Sequence, residues 1–417
     1  MNMRESRRSR VIETPCGRRT ILVLALGIAA VCVAGATAAE QTTPAGPAYK
    51  QAGVWGKVGT GDGQFGTTVA GIATDKAGNV YVADSEFNRV QVLSAKGGFL
   101  RKWGSAGSGD GQFARAGDVD VAPDGSVWVA DEGNGRLQQF ASSGDFKSSL
   151  STSKEIPRGV AVDADGNVLA AIDGGKLGGF RRFDKTPTGW EATGGLLGAG
   201  PYRADEVEAS PDGTVYLTTS NTQSSDDRVR RYSADGKPMG SIKLPPSYGT
   251  RGIGIDLDCN VLVGVSSTEV AKYSPSGKRL ATAPIPYIAN DIAVGPKGDL
   301  YVSIQSSGIA HLVEDRSKPA AAAVGGIAIA KKGSGYVARV KYTLSGVACP
   351  TQLNATASLT GKGIAGKTAV KVAAGKTTII EIPLKASRGS GKAQFKIVLK
   401  TNGRLTTEVR DVTLNVP

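Results

Sequence analysis

The sequence predicts an all-β chain, a six-bladed β-propeller over residues 51–315 followed by a smaller β-sandwich over 325–417. Three observations predict it. A hairpin pattern recurs six times through the middle of the chain, glycine is abundant (57 residues of 417), and the last quarter alternates apolar and polar residues without the repeat. Many short strands joined by tight turns use glycine in this way, whereas packed helices do not. An apolar content of 40% over this length can bury more than one core.

At the start of the chain, Arg4, Arg7, Arg8, Arg10, Arg18 and Arg19 precede an uncharged run from Thr20 to Ala36. A basic segment, an apolar stretch and then small residues make the profile of a signal peptide, and Ala36-Thr37-Ala38 places cleavage after Ala38. Residues 1–38 are therefore expected to be removed on export, leaving a protein that is secreted or held in the cell envelope. The alternative is an N-terminal membrane anchor, for which this run is barely long enough. Residues 39–50 read as a linker.

The repeat occupies the next 265 residues. Its copies begin at Gly71, Asp118, Gly159, Glu206, Gly252 and Asp291, and their first turns fall at 78, 125, 166, 213, 259 and 298. Five of those positions are glycine and the fifth in order is Cys259. The turns recur every 39 to 47 residues, enough for a four-stranded blade. A sheet of this kind has two faces to bury, and radial stacking buries both. The sixth copy lacks a fourth strand. Val54 to Val58 reads like the fourth strand around Leu100 to Trp103, so it is expected to pair with blade six and close the ring.

The stretch from Asp75 through Gly78 to Asp84, followed by Asn88-Arg89-Val90-Gln91-Val92, resembles the NHL repeat. The Gly-Asp-Gly-Gln-Phe runs at 61–65 and 109–113 resemble that family's inter-blade loop. The resemblance covers roughly residues 50–315 and implies an interaction module more often than a catalyst. Amidating lyases that resemble these propellers bind zinc through several histidines, but this chain has only His311. Lactonase-like propellers use Glu, Asn and Asp around a calcium ion. On that resemblance, Glu206, Glu208, Asp256 and Asp291, on or near innermost strands, are the metal candidates. No catalytic residue is assigned and no other cofactor is expected. Asp163-Ala164-Asp165-Gly166 has the start of a calcium loop but no bidentate Glu at its twelfth position, so it reads as a hairpin turn.

After a Pro/Ala linker at 316–324, six candidate strands run from Tyr336 to Leu414, an immunoglobulin-like or fibronectin-like sandwich by analogy of pattern. Residues 316–417 hold 17 Lys+Arg against 3 Asp+Glu, whereas residues 39–315 hold 27 against 32. The basic tail suits either solubility or contact with an anionic cell envelope. Cys259 and Cys349 are the two cysteines beyond the signal segment. An even count in an exported chain invites a disulfide, with Cys259 expected at an exposed hairpin tip.

These features favour a secreted or cell-surface scaffold that binds a protein, peptide or glycan at the mouth formed by the loops between blades. Trp55, Arg115 and Tyr202, in or near those loops, are the expected contact residues. The alternative is a calcium-assisted hydrolase or lactonase. The exported, mildly acidic propeller argues against nucleic acid as a partner.

Overall fold

The computed structural model describes residues 49–220, 227–245, 252–305 and 308–314, together with seven strands between 322 and 416. The central region is a six-bladed propeller in which each blade is an antiparallel sheet built outward from the axis. The innermost strands are Ile72–Thr74, Ala116–Val121, Ile156–Val162, Arg203–Ala209, Ile253–Ile255 and Ala289–Val294. Each leads through its tight turn into a second strand whose residues are almost entirely buried, such as Val80–Asp84 and Val127–Asp131. Gly78, Gly125, Gly166, Gly213 and Gly298 all adopt φ between 83° and 88°, the left-handed conformation in which a side chain is strained. Cys259 takes the same conformation at φ 57°.

Blades pack face to face through apolar layers. One layer joins Tyr81, Ala83, Val90 and Val92 of blade one to Val119, Val127 and Val129 of blade two. Phe65 and Phe113, the last residues of the two Gly-Asp-Gly-Gln-Phe loops, are fully buried. Blade three departs from the pattern: its third strand, Gly178–Thr186, pairs with Gly189–Ala192 at one end and with Leu197–Gly200 at the other.

Ring closure is as expected in kind and shifted in register. The strand Tyr49–Trp55 pairs antiparallel with Gly308–Glu314, with Val54 opposite Ala310 and Trp55 opposite Ile309. It begins two residues inside the expected linker because Tyr49 is a core residue, 2% exposed against Leu300, Val302 and Leu312. It stops at Trp55, and Val58 instead bridges Phe65.

Among the described residues the tail contains seven strands, hydrogen-bonded in the order first, second, fifth, fourth, third, sixth, seventh. The first, Ala322–Lys332, lies partly in the segment read as a linker. Ala338 faces Ile382 and Val340 faces Ile380 across adjacent strands, and all four are buried. Among the described residues no helix is long and apolar enough to cross a membrane.

Candidate functional site: the propeller mouth and its axial carboxyls

The two inter-blade loops are locked by the blades beneath them. Asp84 accepts from Gly66 N at 3.0 Å and pairs with Arg89 at 2.8 Å, and Arg89 in turn donates to Gln64 O at 2.9 Å. Blade two repeats the arrangement: Asp131 accepts from Ala114 N, pairs with Arg136 at 2.8 Å, and Arg136 donates to Gln112 O at 3.0 Å. The Gly-Asp-Gly-Gln-Phe loop is thus held by an Asp/Arg clamp from its own blade, which fixes the wall of the mouth.

Inside that wall is an open bowl with a cavity volume of about 70 Å³. Its lining comes from the starts of the innermost strands: Arg115, Arg158, Arg203, Asp205, Glu206 and Asn290, with Glu132 from a neighbouring loop. The guanidiniums are matched by carboxylates. Arg115 lies 3.4 Å from Glu132, Arg158 lies 2.9 Å from Asp173, and Arg203 Nε donates to Asp205 at 2.6 Å. Arg115 has φ 79°, unfavourable for a residue that carries a Cβ, and is held there by Asn88 Oδ1, which accepts from its N–H at 2.6 Å. The Arg115 side chain is left 56% exposed at the rim.

Below the bowl the innermost strands meet around the axis. The first residues of the six copies alternate Gly71, Asp118, Gly159, Glu206, Gly252 and Asp291, so blades two, four and six supply acids and blades one, three and five supply room. A Cβ on Gly71 would lie 2.5 Å from Asp118 Cα, one on Gly159 3.0 Å from Glu206 Cα, and one on Gly252 2.7 Å from Asp291 Cα. The acids also satisfy backbone groups that an inner edge would leave unpaired. Asp118 accepts from Val160 N at 2.7 Å, Asp120 from Val162 N at 2.7 Å, and Asp291 from Ile72 N at 2.9 Å, each bond crossing from one blade to the next. Because the contact at Gly252 is backbone against backbone, Gly252→Ala is expected to cost about 1–3 kcal/mol. A shift of the urea midpoint measures it, and an unchanged midpoint would contradict this packing.

Burial, followed by the repulsion of neighbouring acids, holds the carboxyls of Asp118, Glu206 and Glu208 well above the ordinary carboxylate range. Burial pushes Asp291 up to about 7 and Asp120 up to about 6, against the opposing pull of their backbone hydrogen bonds. Asp118 and Asp291 are 3% and 6% exposed. The Glu206 carboxyl hydrogen-bonds with Asp118. At neutral pH the cluster holds protons rather than a full set of charges.

The expected site residues are scattered by the fold. Arg115 lines the bowl. Trp55 lies on the closing strand, its ring 5.4 Å from Tyr301 and 4.9 Å from His311, and Tyr202 bonds to Tyr232 Oη at 2.8 Å with Arg230 over its ring at 4.2 Å. Neither is part of the bowl's lining. Of the metal candidates, Glu206, Glu208 and Asp291 belong to the axial cluster, but Asp256 caps the far turn, accepting from Asn260 N at 2.8 Å and pairing with Lys272 at 2.6 Å. Among the described residues no three His, Cys, Asp or Glu side chains converge to hold a metal ion. Asp163 caps its hairpin in the same way, accepting from Asn167 N at 2.8 Å. Cys259 is not an exposed tip: it is 1% exposed, and Ser210 Oγ lies 3.4 Å from its Sγ. Cys349 and residues 1–48 lie outside the described residues. Asp118, Asp120, Asn290, Arg158, Arg203 and Glu132 were not anticipated, although aligning the first residues of the six copies displays the alternation of glycine and acid.

The fold and site define a six-bladed propeller with a polar mouth and an axis lined by buried acids. Residues 113–140, from the second blade, match the family model for the NHL repeat. No curated protein sequence matches the chain. Similar solved structures include virginiamycin B lyase from Staphylococcus aureus (16% identity over 67% of this chain and 92% of that one, TM-score 0.44). A gluconolactonase from Xanthomonas campestris shares 14% identity over 60% of this chain and 87% of its own (TM-score 0.48). The WD40 β-propeller domain of Doa1 shares 10% over 64% and 98% (TM-score 0.47).

Proposed function

We propose that the propeller is a binding platform whose mouth receives a protein, peptide or glycan. The observation that carries this reading is Arg115, a non-glycine residue held in a left-handed conformation that presents an exposed guanidinium at the rim of the bowl. Backbone strain of this kind persists where its surroundings enforce it and is concentrated at functional positions. His311, the one histidine of the chain, is stacked on Tyr301 at 4.9 Å in the third strand of blade six and is not part of the bowl's lining. Peptide and glycan arrays together with envelope extracts test the reading. Wild-type protein is expected to retain a ligand that Arg115→Glu binds at least roughly tenfold more weakly with an unchanged melting temperature. Retention that is indifferent to Arg115→Glu, or no retention at all, would overturn it.

The alternative is a calcium-assisted hydrolase or lactonase, for which the motive is the set of acidic side chains that the innermost strands carry below an open bowl. Calcium-dependent thermal stabilisation accompanied by ester or lactone turnover would establish that reading in place of binding. The chain is further proposed to be exported, with cleavage after Ala38, and the tail to be a basic sandwich that contacts an anionic envelope. A Cys259–Cys349 disulfide is proposed to join tail and propeller, and mass spectrometry of the unreduced protein decides it.

A further inference from the structure

The floor of the bowl is poorer in donors than its rim. Arg115, Arg158 and Arg203 are each drawn to an acid, and Asp205 is occupied by Arg203 and by Ser220 Oγ at 2.7 Å. Among the described residues Glu206 is the acid of the lining that pairs with no guanidinium; the Asp118 carboxyl hydrogen-bonds with it and Asp291 repels it. Asn290 is 5% exposed, and its Nδ2 donates to Val69 O at 2.8 Å. Its Oδ1, also buried, has no hydrogen-bond partner. A buried carbonyl left without a donor is a standing penalty that a ligand donor removes. The floor therefore presents acceptors, an excess of acid and one orphaned carbonyl.

We propose that this floor takes the primary ammonium group of a ligand, held between Asn290 Oδ1 and the carboxyl of Glu206, which releases its proton to solvent as the cation enters. The proposal rests on the mouth being a binding site and specifies what it binds. An ammonium group carries three donors and a compact charge, matching two acceptors with one donor left for water or backbone. A metal ion would require several hard ligands in one shell, and no such convergence of acidic side chains exists among the described residues. The guanidiniums at the rim, Arg115 foremost, then face the acidic or carbonyl groups that flank the amine. A lysine side chain and a free amino terminus share this chemistry.

The two sources are separated by titrating the whole protein, followed by NMR, with N-acetyl-lysine amide and with glycine amide, using N-acetyl-glutamine amide as the neutral control and calcium chloride as the metal control. One of the amines is expected to bind, and which one names the source. Its affinity is expected to fall at least roughly tenfold in Glu206→Gln and in Asn290→Leu. The two variants act independently, so a folding failure in one leaves the other decisive. Equal binding of the neutral control, binding of calcium with no amine binding, retained affinity in a folded floor variant, or no amine binding would each overturn the proposal. If a ligand from the arrays is lost in Arg115→Glu yet is indifferent to amines and to Glu206→Gln, the ammonium site fails and the binding mouth stands. If an amine binds the floor while Arg115→Glu leaves every array ligand in place, the reverse holds.

Discussion

Between pH 5 and pH 8 the protein is expected to lose stability as the pH rises. Free carboxyls in the unfolded chain give up their protons near pH 4. In the folded chain Asp120 is pushed up to about 6 and Asp291 up to about 7, with Asp118, Glu206 and Glu208 displaced in the same direction. The folded state thus binds more protons than the unfolded state above pH 4. Stability from these groups is fully present below that pH and is lost as the pH climbs through 6 and 7. Asp291 alone accounts for roughly 2–3 kcal/mol across this window, and the repelling neighbours titrate as one system rather than additively. Asp124 and Asp235, lowered to about 2 by Ser126 and by Lys237 respectively, have the opposite sign, but their contribution is lost only below about pH 4. Urea midpoints at pH 5, 6, 7 and 8 measure the effect. Asp291→Asn, which keeps the shape of the neutral acid, is expected to flatten the profile. A wild-type midpoint that rises toward pH 8 would show that the axis is ionised and solvated.

Asp131→Ala is expected to cost about 3–5 kcal/mol, the range for removing one partner of a buried ion pair. Asp131 is fully buried, and its loss leaves Arg136 partly buried without a counter-charge and Ala114 N without an acceptor. The loop carrying Gln112 and Phe113 then loses its clamp, so the damage spreads into the seam between blades one and two. Asp131→Ala combined with Arg136→Met is expected to recover part of the loss, because the stranded charge is gone. A cost under about 1 kcal/mol for the single variant would place the pair among ordinary surface contacts.

The blade count was legible because each first turn requires a left-handed residue and glycine marks it in five of six copies. Those marks specify hairpins but not burial, which is why Cys259 was expected at an open tip although its turn packs beside Ser210. The closing strand was legible from its likeness to the fourth strand around Trp103, while its true start at Tyr49 depends on a pocket formed by residues some 250 positions later. Asp118 escaped notice because its own copy reads like any polar-edged strand. Its role appears only when Gly71 and Gly159 on the flanking blades make space around the axis. Asp256 looked equivalent to Asp291, yet in its own copy it follows the axial position, Gly252, by a three-residue strand, Ile253–Ile255, and so caps the turn. Arg158 and Arg203 stand at strand starts where a side chain can point to solvent or to the centre, a choice that local alternation does not encode.

Pairing Tyr49–Trp55 with Gly308–Glu314 makes the earliest segment of the ring wait for the last. During synthesis, blades can form in succession, but the circle stays ajar until residue 314 has emerged. Such a polypeptide carries an unsatisfied sheet edge for most of its biogenesis, and its final cooperative step joins elements about as far apart in sequence as the propeller permits. Latching is then late and all-or-none, so truncation before blade six should leave a sticky, incomplete crescent rather than a smaller stable ring.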